Sequence, residues 1–320
     1  MLTKVAWVES PLQLLNVVEY AHMDGDKVLI LVRAGVSTLD RVADALRQHL
    51  PPCVELSTGW ESALQSPMRK ARVVVIGDAY SGQMRALMAL GKARQVTLVD
   101  DGAIMLALAD QLAAGVPLDR GVTTESRAQR ALGALSTRRF SRLLTRGRLD
   151  LFTAYDQAPA VATLATRGAR VAMNHYEWTR QTPINIPQPL SGHVVVGSAM
   201  VADGLIDAGL YSQWVASTAV DGPITYVAHR REEEDVLAQY AEFPGVVIGT
   251  AGLPIELTLA HSPLVTRVTT LPSSVIATLS RILPKSARFE IVGVPDAWWT
   301  AKASGDFKTL LQQIQEGVAS

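Results

Sequence analysis

Asp100 and Asp101 stand at the end of the apolar run Gln95-Val96-Thr97-Leu98-Val99, immediately before Gly102. A β-branched apolar run of that length reads as a buried parallel strand, and ligands in open α/β sheets collect just beyond the carboxyl ends of such strands. A carboxylate there either caps the helix that follows or serves as a general base on a bound hydroxyl. Four further stretches put polar groups at the same kind of position. His229 follows Ile224-Thr225-Tyr226-Val227-Ala228 and leads into Arg230-Arg231-Glu232; it is either a structural histidine or a partner for a departing anion. Glu256, in Gly252-Leu253-Pro254-Ile255-Glu256, either directs a carboxylate into a crevice or opens a surface helix. Ser273 and Ser274, in Leu271-Pro272-Ser273-Ser274, either cap a helix or join its backbone N–H groups in holding a phosphate. Gly197 and Ser198 close the strand-like Val194-Val195-Val196.

These groups need a scaffold of strand ends, and the hydrophobic pattern predicts one. A first strand spans 4–8, and Ser10 with Pro11 starts a helix by supplying a capping oxygen and a preset φ. Strands follow at 27–32, 54–56, 72–78, 95–99, 150–154 and 169–173, with helices at 37–50, 60–70 and 83–93 between them. The stretch 182–192, with Pro183, Pro187, Pro189 and Gly192, reads as a linker. A second pattern places strands at 194–196, 224–228, 246–248, 265–270 and 289–292, and helices at 201–215 and 233–240. Alternation of this kind means parallel sheets built from right-handed βαβ units. The expected organisation is an N-terminal Rossmann-like domain (1–185), a C-terminal Rossmann-like domain (186–305) and a final helix (306–320). Leu310, Leu311 and Ile314 on one face suit that helix to crossing back onto the first domain. This is an α/β GT-B architecture, two parallel sheets facing across a cleft, which two-lobed binding proteins share. The first strand is not followed by Gly-x-Gly-x-x-Gly, and no Gly-x-x-x-x-Gly-Lys-Ser/Thr occurs, which argues against dinucleotide oxidoreductases and P-loop enzymes.

Composition narrows the class. Thirty basic and thirty acidic side chains cancel, so a dedicated nucleic-acid binder is not expected. The single cysteine, Cys53, forms no internal disulfide and fits a reducing cytoplasmic setting. The opening residues do not read as a signal peptide, and no apolar span of about 20 residues predicts a membrane crossing. The stretch 120–148 carries Arg120, Arg127, Arg130, Arg138, Arg139, Arg142, Arg146 and Arg148 against one acid, Glu125. It is either a solvated helical face or a docking surface for an anionic acceptor or the inner face of a cell membrane. Asp24-Gly25-Asp26 has the form of a metal-binding Asp-x-Asp but lies where a helix turns into a strand, and Asp-Gly is ordinary turn chemistry. His229, Glu232 and Glu233 lack a metal-ligand spacing, so no metal is expected.

In their order, Asp100-Asp101-Gly102, Val194-Val195-Val196-Gly197-Ser198, Tyr226-Val227-Ala228-His229-Arg230-Arg231-Glu232, Pro254-Ile255-Glu256 and Leu271-Pro272-Ser273-Ser274 resemble the bacterial sialyltransferases. The similarity is greatest to the lipooligosaccharide sialyltransferases of glycosyltransferase family 52, with the capsular polysialyltransferases next, and it extends back to Glu9-Ser10-Pro11-Leu12-Gln13. The resemblance implies an inverting, metal-independent transferase that moves sialic acid or a related nonulosonic acid from a CMP donor to a glycan hydroxyl on lipooligosaccharide or capsule. It implies that Asp101 is the general base with Asp100 in support, and that His229 assists departure of the phosphate. Glu256 would take the ribose hydroxyls, Ser273 and Ser274 the phosphate, and Gly197, Ser198, Gly252 and Arg230 would complete the donor side. Arg230 replaces the proline of the family pattern, adding a charge that can meet the phosphate or the sugar carboxylate. Acceptor contacts are expected from Ser10, Gln13, Asp78 and Tyr80, at strand ends of the first domain. Transfer from CMP-Kdo or another nucleotide sugar, and non-catalytic nucleotide or sugar binding, are the alternatives.

Overall fold

The computed structural model describes residues 4–120, 126–249 and 252–319. Glu125 of the arginine-rich stretch lies outside them. The chain divides into an N-terminal unit, Met1–Thr182, and a C-terminal unit, Pro183–Ser320.

In the N-terminal unit the described residues form strands β1 (Lys4–Val8), β2 (Val28–Arg33), β3 (Val54–Trp60), β4 (Val73–Ile76), β5 (Gln95–Val99), β6 (Leu149–Thr153) and β7 (Arg170–Met173). The helices are α1 (Pro11–Asp24), α2 (Ser37–Leu46), α3 (Ser66–Lys70), α4 (Gly82–Leu90), α5 (Ile104–Ala114), α6 (Arg127–Leu144), α7 (Pro159–Thr166) and α8 (Glu177–Gln181). The strands pair in parallel in the order β3-β2-β1-β4-β5-β6-β7. One sheet face carries Val5, Trp7, Leu31, Val74, Ile76, Leu98 and Leu151, packed on Met84, Leu87, Leu108, Phe140 and Leu164 from the helices beneath. The other face takes α1, which touches β1, β2 and β5.

Helix α1 starts where the sequence predicts, with Ser10 Oγ accepting from Gln13 N at 3.2 Å, and ends at Gly25, whose φ of +77° lets its N–H reach the Ala21 carbonyl. Residues 13–21 are all buried, yet Gln13, Asn16 and Glu19 recur every third position, forming one polar row on an otherwise apolar helix.

The C-terminal unit forms β8 (Ser191–Val196), β9 (Ile224–Val227), β10 (Val246–Gly249), β11 (Leu264–Thr270) and β12 (Arg288–Ile291). Its helices are α9 (Ala199–Ala202), α10 (Ala208–Thr218), α11 (Glu234–Ala241), α12 (Ile255–Ala260), α13 (Val275–Ile282) and α14 (Gly305–Ala319). Its parallel sheet runs β10-β9-β8-β11-β12, so each unit is Rossmann-like. Helix α14 packs on α13 of its own unit, with Leu311 and Ile314 buried.

Two expectations need correction. The predicted helix 60–70 is helical only over Ser66–Lys70; β3 continues to Trp60, which pairs with Arg33 and packs on the core, so tertiary pairing overrides the helical pattern. The predicted helix 201–215 is two helices. Gly204 takes φ +67° and Asp207 caps a fresh start by accepting from Leu210 N at 2.9 Å.

Candidate functional site

In the N-terminal unit the strand order reverses between β1 and β4, which places a crevice beyond their carboxyl ends. Three segments leave the sheet at that edge: Glu9–Ser10 after β1, Gly77–Asp78 after β4 and Asp100–Asp101 after β5. Asp101 accepts from Ser10 Oγ on Oδ1 at 3.0 Å and from Gln13 Nε2 on Oδ2 at 2.9 Å. The Gln13 amide cannot turn over without loss, because its Oε1 accepts from Glu9 N at 2.8 Å. Gly77 makes room for this side chain: a Cβ there would lie 2.4 Å from Gln13 Cγ. Burial pushes the Asp101 carboxyl above its ordinary value; the Gln13 hydrogen bond opposes the shift, the Asp78 charge adds to it, and Ser10 and Arg120 oppose it.

Asp100 turns the other way. It is buried, its Oδ2 accepts from Ala154 N at 2.6 Å, and its backbone carbonyl accepts from Asn16 Nδ2 at 2.9 Å. The N-cap position of α5 is Ala103, which makes no side-chain cap, so neither acid serves as the cap that the sequence allows.

Of the four residues expected on the acceptor side, Ser10, Gln13 and Asp78 gather around Asp101. Asp78 accepts from Tyr80 N at 2.9 Å and pairs with Arg120. Tyr80 instead packs its ring into the core, with the Arg85 and Arg120 guanidinium groups 5.9 and 5.8 Å from its centroid.

Sequence reasoning missed the rest of the α1 row. Asn16 Oδ1 accepts from Asn174 Nδ2 at 3.1 Å, and Glu19 accepts from the backbone N of Trp178 and Thr179 at 3.1 and 2.6 Å and from the Thr179 hydroxyl. The row thus ties β1, β5 and the segment after β7 to one rigid helix, and the i, i+3, i+6 spacing of polar residues was the signal for it. The Asp24-Gly25-Asp26 turn closes on Lys4: its ammonium pairs with Asp24 and, at 2.9 Å, with Asp26. Those two hydrogen bonds raise the lysine's pKa against the desolvation that would lower it.

In the C-terminal unit the corresponding edge collects Gly197–Ser198 after β8, His229 after β9, Gly252 and Glu256 after β10, and Ser273–Ser274 after β11. Residues 250 and 251, next to Gly252, lie outside the described residues. His229 sits in a tight turn, with Glu232 N donating to its carbonyl at 2.9 Å. Glu232 folds back on that turn. Its carboxylate accepts from His229 N at 2.6 Å and from Tyr226 OH at 2.5 Å, and Tyr226 shares a 2.9 Å hydrogen bond with Tyr211. Burial pushes the Glu232 carboxyl up, while those two donors oppose the shift. Gly197 is the wall of this clamp: a Cβ there would lie 2.3 Å from Glu232 Oε2, 2.8 Å from Tyr226 OH and 2.9 Å from His229 N.

The His229 Nδ1 accepts from Arg231 N at 3.3 Å, which puts the ring proton on Nε2. Burial, then Arg231 and Arg230, lower its pKa, with Asp203 acting in the opposite direction, so the ring is mainly neutral near pH 7. Arg231 is held by Asp203 at 2.6 Å, whereas Arg230 is exposed and makes no ion pair among the described residues. Glu256 is buried in the first turn of α12, and burial pushes its carboxyl up. Ser198 accepts from Met200 N at 3.2 Å and so caps α9. Helix α13, in contrast, starts without a side-chain cap from Ser274.

No family model matches the chain, and no curated protein does. Solved structures do resemble it. An α/β-galactoside α-2,3-sialyltransferase from Photobacterium phosphoreum aligns over 98% of this chain and 94% of its own at 12% identity, with a TM-score of 0.51. A UDP-glucose:anthocyanidin 3-O-glucosyltransferase in complex with UDP covers 100% and 94% at 12% identity, with a TM-score of 0.50. Phytolacca americana UGT2, bound to UDP-2-fluoro-glucose and pterostilbene, covers 99% and 94% at 12% identity, also at 0.50. The likeness shows the fold: two Rossmann-like units of the GT-B kind.

Proposed function

We propose that this chain is a glycosyltransferase that moves sialic acid, or a related nonulosonic acid, from a CMP-activated donor to a glycan hydroxyl with inversion and without a metal. The observation that carries the reading is Asp101: a carboxylate at the carboxyl edge of β5, held by Ser10 and Gln13, whose pKa burial has raised toward that of a useful base. In the proposed reaction Asp101 takes the proton of the acceptor hydroxyl as its oxygen attacks the anomeric carbon. The bond from that carbon to the phosphate oxygen breaks, and its electron pair leaves with CMP.

The C-terminal unit is assigned the leaving group. A neutral His229 offers Nε2–H to the departing phosphate oxygen, and the phosphate charge would raise the ring's pKa and help it yield that proton. Ser273, Ser274 and the first N–H groups of α13 suit the phosphate, Arg230 a phosphate or carboxylate oxygen, and Glu256 the ribose hydroxyls. Gly197, Gly252 and Ser198 shape the strand ends beside them. The sialyltransferase and the two proteins solved with UDP or a UDP-sugar resemble the chain almost equally, so the choice of CMP rests on the ordered set of residues.

The test is transfer from CMP-sialic acid to a panel of galactosides and sialosides, alongside thermal shifts with CMP, CDP, UDP and GDP. A shift with CMP and transfer that Asp101→Asn and His229→Ala each lower by about 10²–10⁴ support the proposal. A shift with UDP alone redirects the donor to another nucleotide sugar, and near-normal transfer by either variant removes its assigned role.

A further inference from the structure

We infer that the α4–α6 face of the N-terminal unit docks on an anionic phospholipid bilayer, an interaction independent of the reaction proposed above. The sequence shows the arginine stretch to be basic; the fold adds a second element to it. Helices α4 and α6 pack side by side, and Arg139 Nη2 donates to the Ala93 carbonyl just beyond α4 at 2.5 Å. Residues 126–149 hold seven arginines and no acid, and residues 79–99 hold three basic side chains and no acid. Two neighbouring elements of a chain with zero net charge are thus jointly free of carboxylates.

The charges face outward. Gly133, Ser136, Thr137, Phe140, Leu143 and Leu144 turn to the core, while Arg127, Arg130, Arg138 and Arg142 of the helix and Arg146 just beyond it are exposed. None of these five forms an ion pair among the described residues. The flanking acid Asp150 is already held by Arg170 at 2.7 Å and by Gln95 at 2.5 Å. Within this field two large apolar side chains stand in solvent: Leu135 on α6, 46% exposed, and Leu90 at the end of α4, 76% exposed.

That combination selects the partner. Arginines satisfy lipid phosphates, and exposed leucines on the same two elements gain by entering the acyl boundary, whereas a soluble polyanion would leave both leucines in water. No helix among the described residues is long and apolar enough to cross a membrane, so the contact is a surface one.

The test is co-sedimentation of the full chain with vesicles of phosphatidylcholine carrying about 30% phosphatidylglycerol, in about 0.1 M salt, where surface attraction still reaches roughly 10 Å. Expected are binding that needs the anionic lipid, a loss of roughly tenfold or more in the charge reversal R138E/R142E/R146E, and retention in R138K/R142K/R146K. L90S/L135S should weaken binding by about threefold or more at unchanged charge. Circular dichroism checks that each variant is folded. Absence of binding, equal binding to pure phosphatidylcholine, wild-type affinity in the reversal, or binding to polysialate but not to vesicles overturns the inference.

Discussion

The carboxyl edges of the two sheets carry constellations of similar size that are built by opposite means. Asp101 is held by residues 91 and 88 positions away, Ser10 and Gln13, presented by a buried helix whose polar row also binds Asp100, Asn174 and the start of α8. His229 is held by Glu232, three positions on, and by Tyr226, three positions back through that same carboxylate. One constellation is tertiary and rigid by cross-linking; the other is a local turn closed by its own glutamate. The base role proposed for Asp101 needs a fixed orientation and a raised pKa, both of which burial under a helix supplies. The role proposed for His229 at a departing phosphate needs a reachable proton, which a half-buried turn leaves available.

Asp101→Asn should break the comparison most severely. Transfer is expected to fall by about 10²–10⁴, with the melting temperature at pH 7 raised by about 1–3 °C. The sign follows from the raised carboxyl: above its folded pKa the native state holds a buried charge at a cost, and the amide removes it. The thermal advantage should therefore shrink as pH falls through the raised pKa and vanish near the unfolded value, where wild type is protonated as well. Melts recorded across that range check it, and a lower melting temperature at pH 7 would contradict the burial argument.

Gly197→Ala should damage the local constellation through packing alone. The added methyl meets a carboxylate and a backbone nitrogen that cannot move independently, so a loss of about 1–3 kcal/mol in denaturant unfolding is expected, together with weaker nucleotide binding. At Gly77 the nearest atoms to an added methyl all belong to the Gln13 side chain, so Gly77→Ala should cost less stability while slowing transfer roughly tenfold by displacing that amide from Asp101. Equal stability losses in the two alanine variants would remove the distinction between the constellations.

Gln13→Ala sharpens the comparison by pH. Its hydrogen bond lowers the Asp101 pKa, so its loss should move the acid limb of kcat/KM upward, while Glu232→Gln leaves that limb in place. Glu232→Gln removes a buried charge but keeps one acceptor for two donors; the two effects oppose, so stability should change by no more than about 1 kcal/mol, the smallest of these effects.

The strand ends were legible because apolar runs, Ser10-Pro11 and the Asp-Asp-Gly, His and Ser-Ser stretches are local signals. What stayed hidden was local pattern overruled by tertiary context. Trp60 reads as part of a helix but extends β3, because its ring packs on the core beside the sheet. Val201–Val215 reads as one helix but breaks at Gly204 and restarts at the Asp207 cap. Glu232 was a charge beside a histidine until the clamp around Gly197 closed on it. Tyr80, placed at a strand end by sequence, proved to be a core ring.

By itself the sequence determined two parallel α/β units and the places where polar groups leave their sheets, because hydrophobic period and capping chemistry are written within a few residues. Only the tertiary structure decided how the two adjacent acids divide. Successive side chains of an extended chain point to opposite sides, so Asp100 is sent inward to the Ala154 backbone and Asp101 outward to Ser10 and Gln13. Which direction is inward depends on where α1 and β6 lie, and no spacing along the chain records that.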